Sequence, residues 1–177
     1  MLFSSRYGCP IGNWALPELE PRLFSFNNPL GACPECDGLG HTLFFDPERI
    51  VQFPNLSLGA GAVRGWDRRN QFYYQQLQSL AIHYGFNLDL PFEELPEKIR
   101  NILLFGSGSE TITFTTLSAS GKPSTETRPF EGIVHNFERR YRETDSANVR
   151  DELAKFQHTR PCPACQGTRL RIDARNV

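Results

Sequence analysis

Cys33-Pro34-Glu35-Cys36-Asp37-Gly38 and, near the other end of the chain, Cys162-Pro163-Ala164-Cys165-Gln166-Gly167 follow one pattern. Each has two cysteines separated by two residues, proline after the first, and glycine two residues past the second. A tight turn of this kind lets both thiolates face one ion, and glycine tolerates the backbone angles that follow. Four thiolates complete a tetrahedral shell with Zn–S bonds of about 2.3 Å and leave no open position for water, so such a site is structural. Residues 37–161 separate the pairs, against roughly 15–20 in ordinary zinc ribbons. If both pairs hold one metal, the intervening residues form an insertion whose ends are pinned together. Two other readings stay open on spacing alone: redox dithiols and buried thiols without metal. Cys9 stands in Cys9-Pro10-Ile11-Gly12, a third such turn with Gly12 in place of the second thiol, and is expected to be a spare cysteine.

The chain has 177 residues, 19 Lys+Arg, 20 Asp+Glu and a net charge of −1, which fits one moderate domain with at most a small satellite. With 39% hydrophobic and 12% aromatic residues it has the composition of a globular protein. The balanced charge excludes a simple polybasic nucleic-acid binder, so any such contact comes from local clusters. The odd cysteine count argues against a disulfide framework. No apolar run is long enough for a membrane span, and the first ten residues lack a signal-peptide pattern. A soluble, cytosolic chain is expected.

Outward from the cysteines, residues 1–32 read as loop with one short strand, and Asp46-Pro47 reads as the cap and first position of a helical turn. Residues 54–65 read as a glycine-rich loop over Leu56 and Leu58. Apolar residues at helical spacing predict helices over Phe72–Tyr84, Pro96–Phe105, Val134–Tyr141 and Ala147–Gln157. Alternating Thr111-Ile112-Thr113-Phe114-Thr115 reads as a strand, followed by a Ser120-Gly121-Lys122-Pro123 turn and a partner strand over Ser124–Arg128. The expected fold is α+β, with several helices flanking a small antiparallel sheet closed at its base by the four-cysteine zinc site. Residues 1–40 and 159–177 carry the knuckles, and 41–158 form the inserted domain.

Gly106-Ser107-Gly108-Ser109 lacks the Gly-Lys-Ser/Thr of a phosphate-binding loop. His41, His83, His135 and His158 lie in separate segments without ligand spacing, and no catalytic triad or carboxylate pair presents itself. Two basic-aromatic clusters do: Arg64-Gly65-Trp66-Asp67-Arg68-Arg69, running into Phe72-Tyr73-Tyr74, and Phe137-Glu138-Arg139-Arg140-Tyr141-Arg142. Guanidinium groups suit phosphate, and aromatic faces suit unstacked bases. Arg169, Arg171 and Arg175, against Asp173, add a third cationic patch beside the second knuckle. The plain alternative is solvated or carboxylate-paired arginines and half-buried tyrosines.

Three stretches resemble the UvrA family, the damage-sensing ATPases of bacterial nucleotide excision repair. They are Glu18-Leu19-Glu20-Pro21-Arg22-Leu23-Phe24-Ser25-Phe26-Asn27-Asn28-Pro29 running into the first knuckle, Phe130-Glu131-Gly132-Ile133 with Glu138-Arg139-Arg140-Tyr141, and Arg160-Pro161-Cys162 through Leu170. The resemblance implies one structural zinc on Cys33, Cys36, Cys162 and Cys165, flanking an insertion domain that contacts damaged double-stranded DNA. The candidate DNA contacts within it and beside the zinc are the arginines of the three cationic patches, Arg64, Arg68, Arg69, Arg139, Arg140, Arg142, Arg169 and Arg171. The partners implied are UvrB and a second UvrA, engaged through the longer protein, with no membrane. The nucleotide-binding motifs of that family are absent from these residues, so ATP belongs to the longer parent and this chain is expected not to be an enzyme. The family commonly has cysteine where Gly12 stands, so no further zinc site is expected. The rival readings are a protein-interaction module, because Cys33 to Gly40 fits the C-x-x-C-x-G-x-G repeat of DnaJ-type chaperones, and a dithiol redox enzyme.

Overall fold

The computed structural model describes residues 20–117 and 122–176. Cys9, Gly12 and the Ser120-Gly121 half of the expected hairpin turn lie outside the described residues. In chain order the elements are β1 (His41–Phe45), α1 (Pro47–Ile50), α2 (Gln71–Tyr84), α3 (Glu97–Phe105), β2 (Thr111–Leu117), β3 (Pro123–Pro129), α4 (Ile133–Glu143), α5 (Ala147–Ala154), β4 (Gln157–Pro161) and α6 (Ile172–Arg175). Short 3-10 turns cover Pro21–Phe24 and Phe92–Glu94. The fold is α+β, its strands forming two small antiparallel ladders, β1 with β4 and β2 with β3. Among the described residues no helix is long and apolar enough to cross a membrane.

The chain divides into two compact units, residues 1–44 with 158–177 and residues 45–157. In the larger unit, capping sets the helix starts. The Asp46 carboxylate accepts from Glu48 N ahead of Pro47, Asn70 accepts from Tyr73 N to open α2, and Ser146 accepts from Val149 N to open α5. The core gathers Trp66, Leu77, Leu80, Leu103, Ile112, Phe114, Phe130, Ile133 and Phe137. Inward Ile112 and Phe114 alternate with outward Thr111, Thr113 and Thr115 along β2, as a half-buried strand requires. The register places Thr113 opposite Thr127 and Thr115 opposite Thr125. The free edge of β2 is covered by α2: Ser79 Oγ accepts from Thr115 N at 3.2 Å and Gln75 Oε1 from Leu117 N at 3.0 Å. That satisfies backbone donors which an open edge would present to another chain.

Two expectations fail: of the residues expected beneath the 54–65 loop, Leu58 is buried but Leu56 is exposed, and one helix is shorter than its apolar stripe suggests. The helix predicted over Ala147–Gln157 stops at Ala154, and the chain turns through a Phe156 N to Leu153 O bond into β4. The Val149, Leu153 and Phe156 stripe is real, but Phe156 is held by the turn. Gln157-His158-Thr159-Arg160-Pro161 has no apolar alternation to mark a strand, and its state is set by pairing with β1. β1, a stretch to which no element is assigned from the sequence, is the other half of that ladder.

Asp67 supplies a pH-sensitive contact. Its buried carboxylate accepts from Arg69 N at 2.9 Å, Arg69 Nε at 3.1 Å and Arg69 Nη2 at 2.6 Å. The Arg69 guanidinium therefore holds the Asp67 carboxyl below the usual carboxylate range, against the cost of burial. A carboxyl depressed in the folded state stabilises above its unfolded pKa of about 4, and that stabilisation is lost as pH falls through the lower folded value. Asp67→Asn is expected to cost about 1–2 kcal/mol at pH 7. Melting curves between pH 7 and pH 3 should show the gap to the unchanged chain narrowing at the acid end.

Candidate metal centre and nucleic-acid interface

In the smaller unit the two knuckles meet as near copies of one another. Cys33 N donates to Arg169 O and Cys162 N to Gly40 O, both at 2.9 Å, so each knuckle is tied to the tail of the other. Arg171 N adds a bond to Gly31 O at 2.9 Å. The turns match residue for residue: Asp37 and Gln166 have φ of 49° and 52°, Gly38 and Gly167 74° and 86°, Gly40 and Arg169 84° and 71°. Gly38 is forced twice over, because a Cβ there would lie 2.1 Å from Phe26 O. Arg169 occupies the place of Gly40 despite carrying a side chain. It is held there by an Nε bond to Gly38 O at 2.7 Å and by its guanidinium 3.5 Å over the Phe26 ring.

The result is a cluster of four buried thiols, Cys33, Cys36, Cys162 and Cys165, with every sulfur within 4.8 Å of the others. Cys33 Sγ lies 4.0 Å from Cys162 Sγ and Cys36 Sγ 3.7 Å from Cys165 Sγ. A tetrahedral shell with bonds of about 2.3 Å has edges of about 3.8 Å, so the spacing suits a shared ion; none of the four is in a disulfide. Gly40 N donates to Cys36 Sγ at 3.2 Å. Burial pushes the Cys36 thiol up to about 11. At Cys165 burial acts in the same direction but is outweighed by the backbone N–H groups of Arg169 and Gly167, and the thiol falls to about 7. These backbone donors favour thiolate, the form that ligates metal. The C-x-x-C pairs and following glycines were the signal for the ligands. His41 is exposed on β1 and is not one of the cluster.

The larger unit brings the two basic-aromatic clusters together. Trp66 stacks on Tyr73 with centroids 4.3 Å apart, and the Arg140 guanidinium lies 5.7 Å from the Tyr73 ring centre. Arg64 and Arg140 then line one groove of about 360 Å³, floored by Phe137, Leu153 and Phe156. Among the described residues Arg64 is held only by Glu152 at 4.0 Å. Arg142 is exposed and has no ion-pair partner among the described residues.

The other predicted arginines are more committed. Arg139 is bonded by Glu131 at 2.9 and 3.1 Å and by Glu143 at 3.2 Å, which holds its guanidinium well above the usual range. Arg68 bonds Asp89 at 2.8 Å and the Tyr74 hydroxyl at 3.3 Å, and Arg69 is spent on Asp67. In the smaller unit Arg171 pairs with Asp173 at 3.2 Å, and Arg169 is the knuckle clamp. The partners Glu131, Asp89 and Asp67 were not foreseen for these arginines. Glu131 and Asp89 are too far along the chain for helical spacing to flag.

Comparison with known proteins bears on both centres. A family model for the UvrA DNA-binding domain matches residues 46–155. The UvrABC system protein A of Neisseria meningitidis serogroup B is 58% identical over 175 residues, covering 99% of this chain and 18% of that protein. That of Xylella fastidiosa (strain Temecula1) is 62% identical over 176 residues, again covering 99% and 18%. The chain thus spans about a fifth of the length of the curated relatives it matches. In structure it resembles UvrA2 from Deinococcus radiodurans, with TM-score 0.66 and 27% identity over 96% of this chain and 21% of that one. With the family model covering most of the larger unit and such identity over almost every residue, the chain belongs to the UvrA DNA-binding domain family.

Proposed function

We propose that this chain is a zinc-stabilised, DNA-contacting insertion module acting in nucleotide excision repair, where it helps a longer UvrA protein recognise and hold damaged duplex. The match of residues 46–155 to a DNA-binding domain carries the reading. The convergence of Arg64, Arg140 and the Tyr73–Trp66 stack on one groove supports it. One structural Zn2+ is held by Cys33, Cys36, Cys162 and Cys165, a donor set and spacing that suit that ion. The inserted domain is residues 41–158, within knuckle segments 1–40 and 159–177. ATP hydrolysis and the contacts with UvrB and a second UvrA belong to the rest of the longer protein, in the cytoplasm.

Among the predicted arginines, Arg64, Arg140 and Arg142 are the least tied down and carry the phosphate contacts. Arg68, Arg69, Arg139, Arg169 and Arg171 approach DNA only with their carboxylate or backbone partners in place. The protein-interaction reading loses weight at Arg169, which stands where the chaperone repeat has glycine.

The test is the salt dependence of duplex binding. Each phosphate neutralised contributes about −0.9 to the slope of log K against log salt. Arg64→Ala with Arg140→Ala is expected to weaken binding roughly ten-fold at low salt and to flatten the slope by about 1.8. Unchanged affinity and slope, with the fold intact by circular dichroism, would reject these two residues as contacts.

A further inference from the structure

A groove of about 520 Å³ lies between α2 and β2 in the 45–157 unit, and among the described residues its lining carries no charged side chain. Its polar lining is Gln75, Gln78 and Ser79 from α2 and Thr113 and Thr115 from β2. Gln75 is only 9% exposed, and its Oε1 is committed to Leu117 N. That bond fixes the amide plane, so Nε2 is left as a donor with no partner among the described residues, at the groove wall. Ser79 is fully used, donating to Gln75 O at 3.0 Å and accepting from Thr115 N. The Thr113 and Thr115 side chains are exposed on the same wall, with Thr113 Oγ1 3.1 Å from Thr127 Oγ1 across the ladder. Ile82 and Leu117 complete the lining with apolar surface, so among the described residues the groove offers a fixed amide donor, rotatable hydroxyls and apolar walls, and no cation.

We propose that this groove seats a stretch of duplex-DNA backbone through neutral hydrogen bonds, with Gln75 Nε2 and the Thr113 and Thr115 hydroxyls donating to phosphodiester oxygens. The inference rests on the DNA-contacting reading above. Three observations favour phosphodiester. The preset group is a donor, so it wants an acceptor. Amide and hydroxyl groups from side chains are common partners of DNA phosphate and set a protein's register on the duplex. A groove without a cation has little pull on a free anion, but suits a polyanion already held by arginines elsewhere on the unit. Because neutral donors displace no counterions, this contact adds affinity without adding to the salt slope, unlike Arg64 and Arg140. Threonine is also a good residue for an exposed strand, and the test must separate that role.

Thr113→Val with Thr115→Val keeps shape and strand preference and removes only the hydroxyls. Gln75→Glu keeps an oxygen for Leu117 N while replacing the donor by a charge that repels phosphate. Fluorescence anisotropy of the zinc-loaded 177-residue chain on a duplex, over a range of salt, reads both. The threonine pair is expected to weaken binding about ten-fold at every salt concentration, with the slope unchanged and the melting temperature kept. Gln75→Glu is expected to weaken it at least as much. Binding by both variants equal to that of the unchanged chain would overturn this inference and leave the DNA reading standing. Failure of the unchanged chain to bind duplex even at low salt would overturn both.

Discussion

Replacing Cys162 and Cys165 by serine is expected to abolish zinc binding and to unfold the knuckle unit. The described part of that unit has little else to hold it: its buried apolar residues are Leu23, Ala174 and the four cysteines themselves. The remaining ties are the short β1–β4 ladder, backbone bonds between turns such as Cys33 N to Arg169 O, Cys162 N to Gly40 O and Arg171 N to Gly31 O, and surface contacts such as those of Arg169 with Gly38 O and Phe26. Six positive-φ residues are clustered in those turns, three of them carrying side chains: Asp37, Gln166 and Arg169. With the proposed zinc in place, such a segment folds on the free energy of metal binding, which is about 10–16 kcal/mol in zinc-finger peptides at neutral pH. Removing two ligands removes most of it. Elemental analysis should show zinc falling from about one per chain to a trace, and amide exchange across residues 31–40 and 162–171 should become fast. The same unit should lose zinc as pH falls, because ligation requires thiolates and protons compete for them. Stable folding of the double variant without metal would refute the structural role.

Trp66→Ala is the second large effect, expected to cost about 3–5 kcal/mol and to lower the melting temperature of the 45–157 unit sharply. Trp66 is 1% exposed, stacks on Tyr73 at 25° between planes, and meets Phe130 edge-on with centroids 6.0 Å apart. Phe130 in turn packs against Phe114 of β2. The indole thus ties the loop at 63–67 to α2 and to the segment between β3 and α4, and truncation leaves a void that close-packed neighbours fill only in part. Trp66→Phe should cost far less, because the indole Nε1 is buried with no partner among the described residues and its loss removes an unsatisfied donor. Tyr73 also underlies Arg140, so Trp66→Ala should weaken DNA binding where the unit remains folded. A loss no larger for alanine than for phenylalanine would contradict this packing account.

The parts of this structure legible in the sequence are those set by local chemistry. The two C-x-x-C turns carry their own geometry, and the cluster of four thiols follows from them. α2, α3 and α4 lie within a residue or two of the predicted spans because apolar spacing is a short-range signal. The β2–β3 pairing follows from alternation around a turn. β1 and β4 were not legible, because Gln157–Pro161 is strand only by virtue of a partner more than a hundred residues away. The arginine clusters were legible as clusters but not in their division of labour. Charge pairs such as Arg139–Glu131 and Arg68–Asp89 are settled by tertiary placement, as is the convergence of Arg64 with Arg140. Gln75 carried no sequence signal at all, since its role comes from where α2 meets the edge of β2.

The most direct test is a titration of the zinc-loaded chain against two duplexes of equal length at low salt, one intact and one carrying a bulky lesion, read by gel shift. The account predicts binding to both, with the damaged duplex shifted at lower protein concentration. It further predicts steep loss of both complexes as salt is raised. No shift of either duplex, by a chain shown to be folded and to hold zinc, would contradict it.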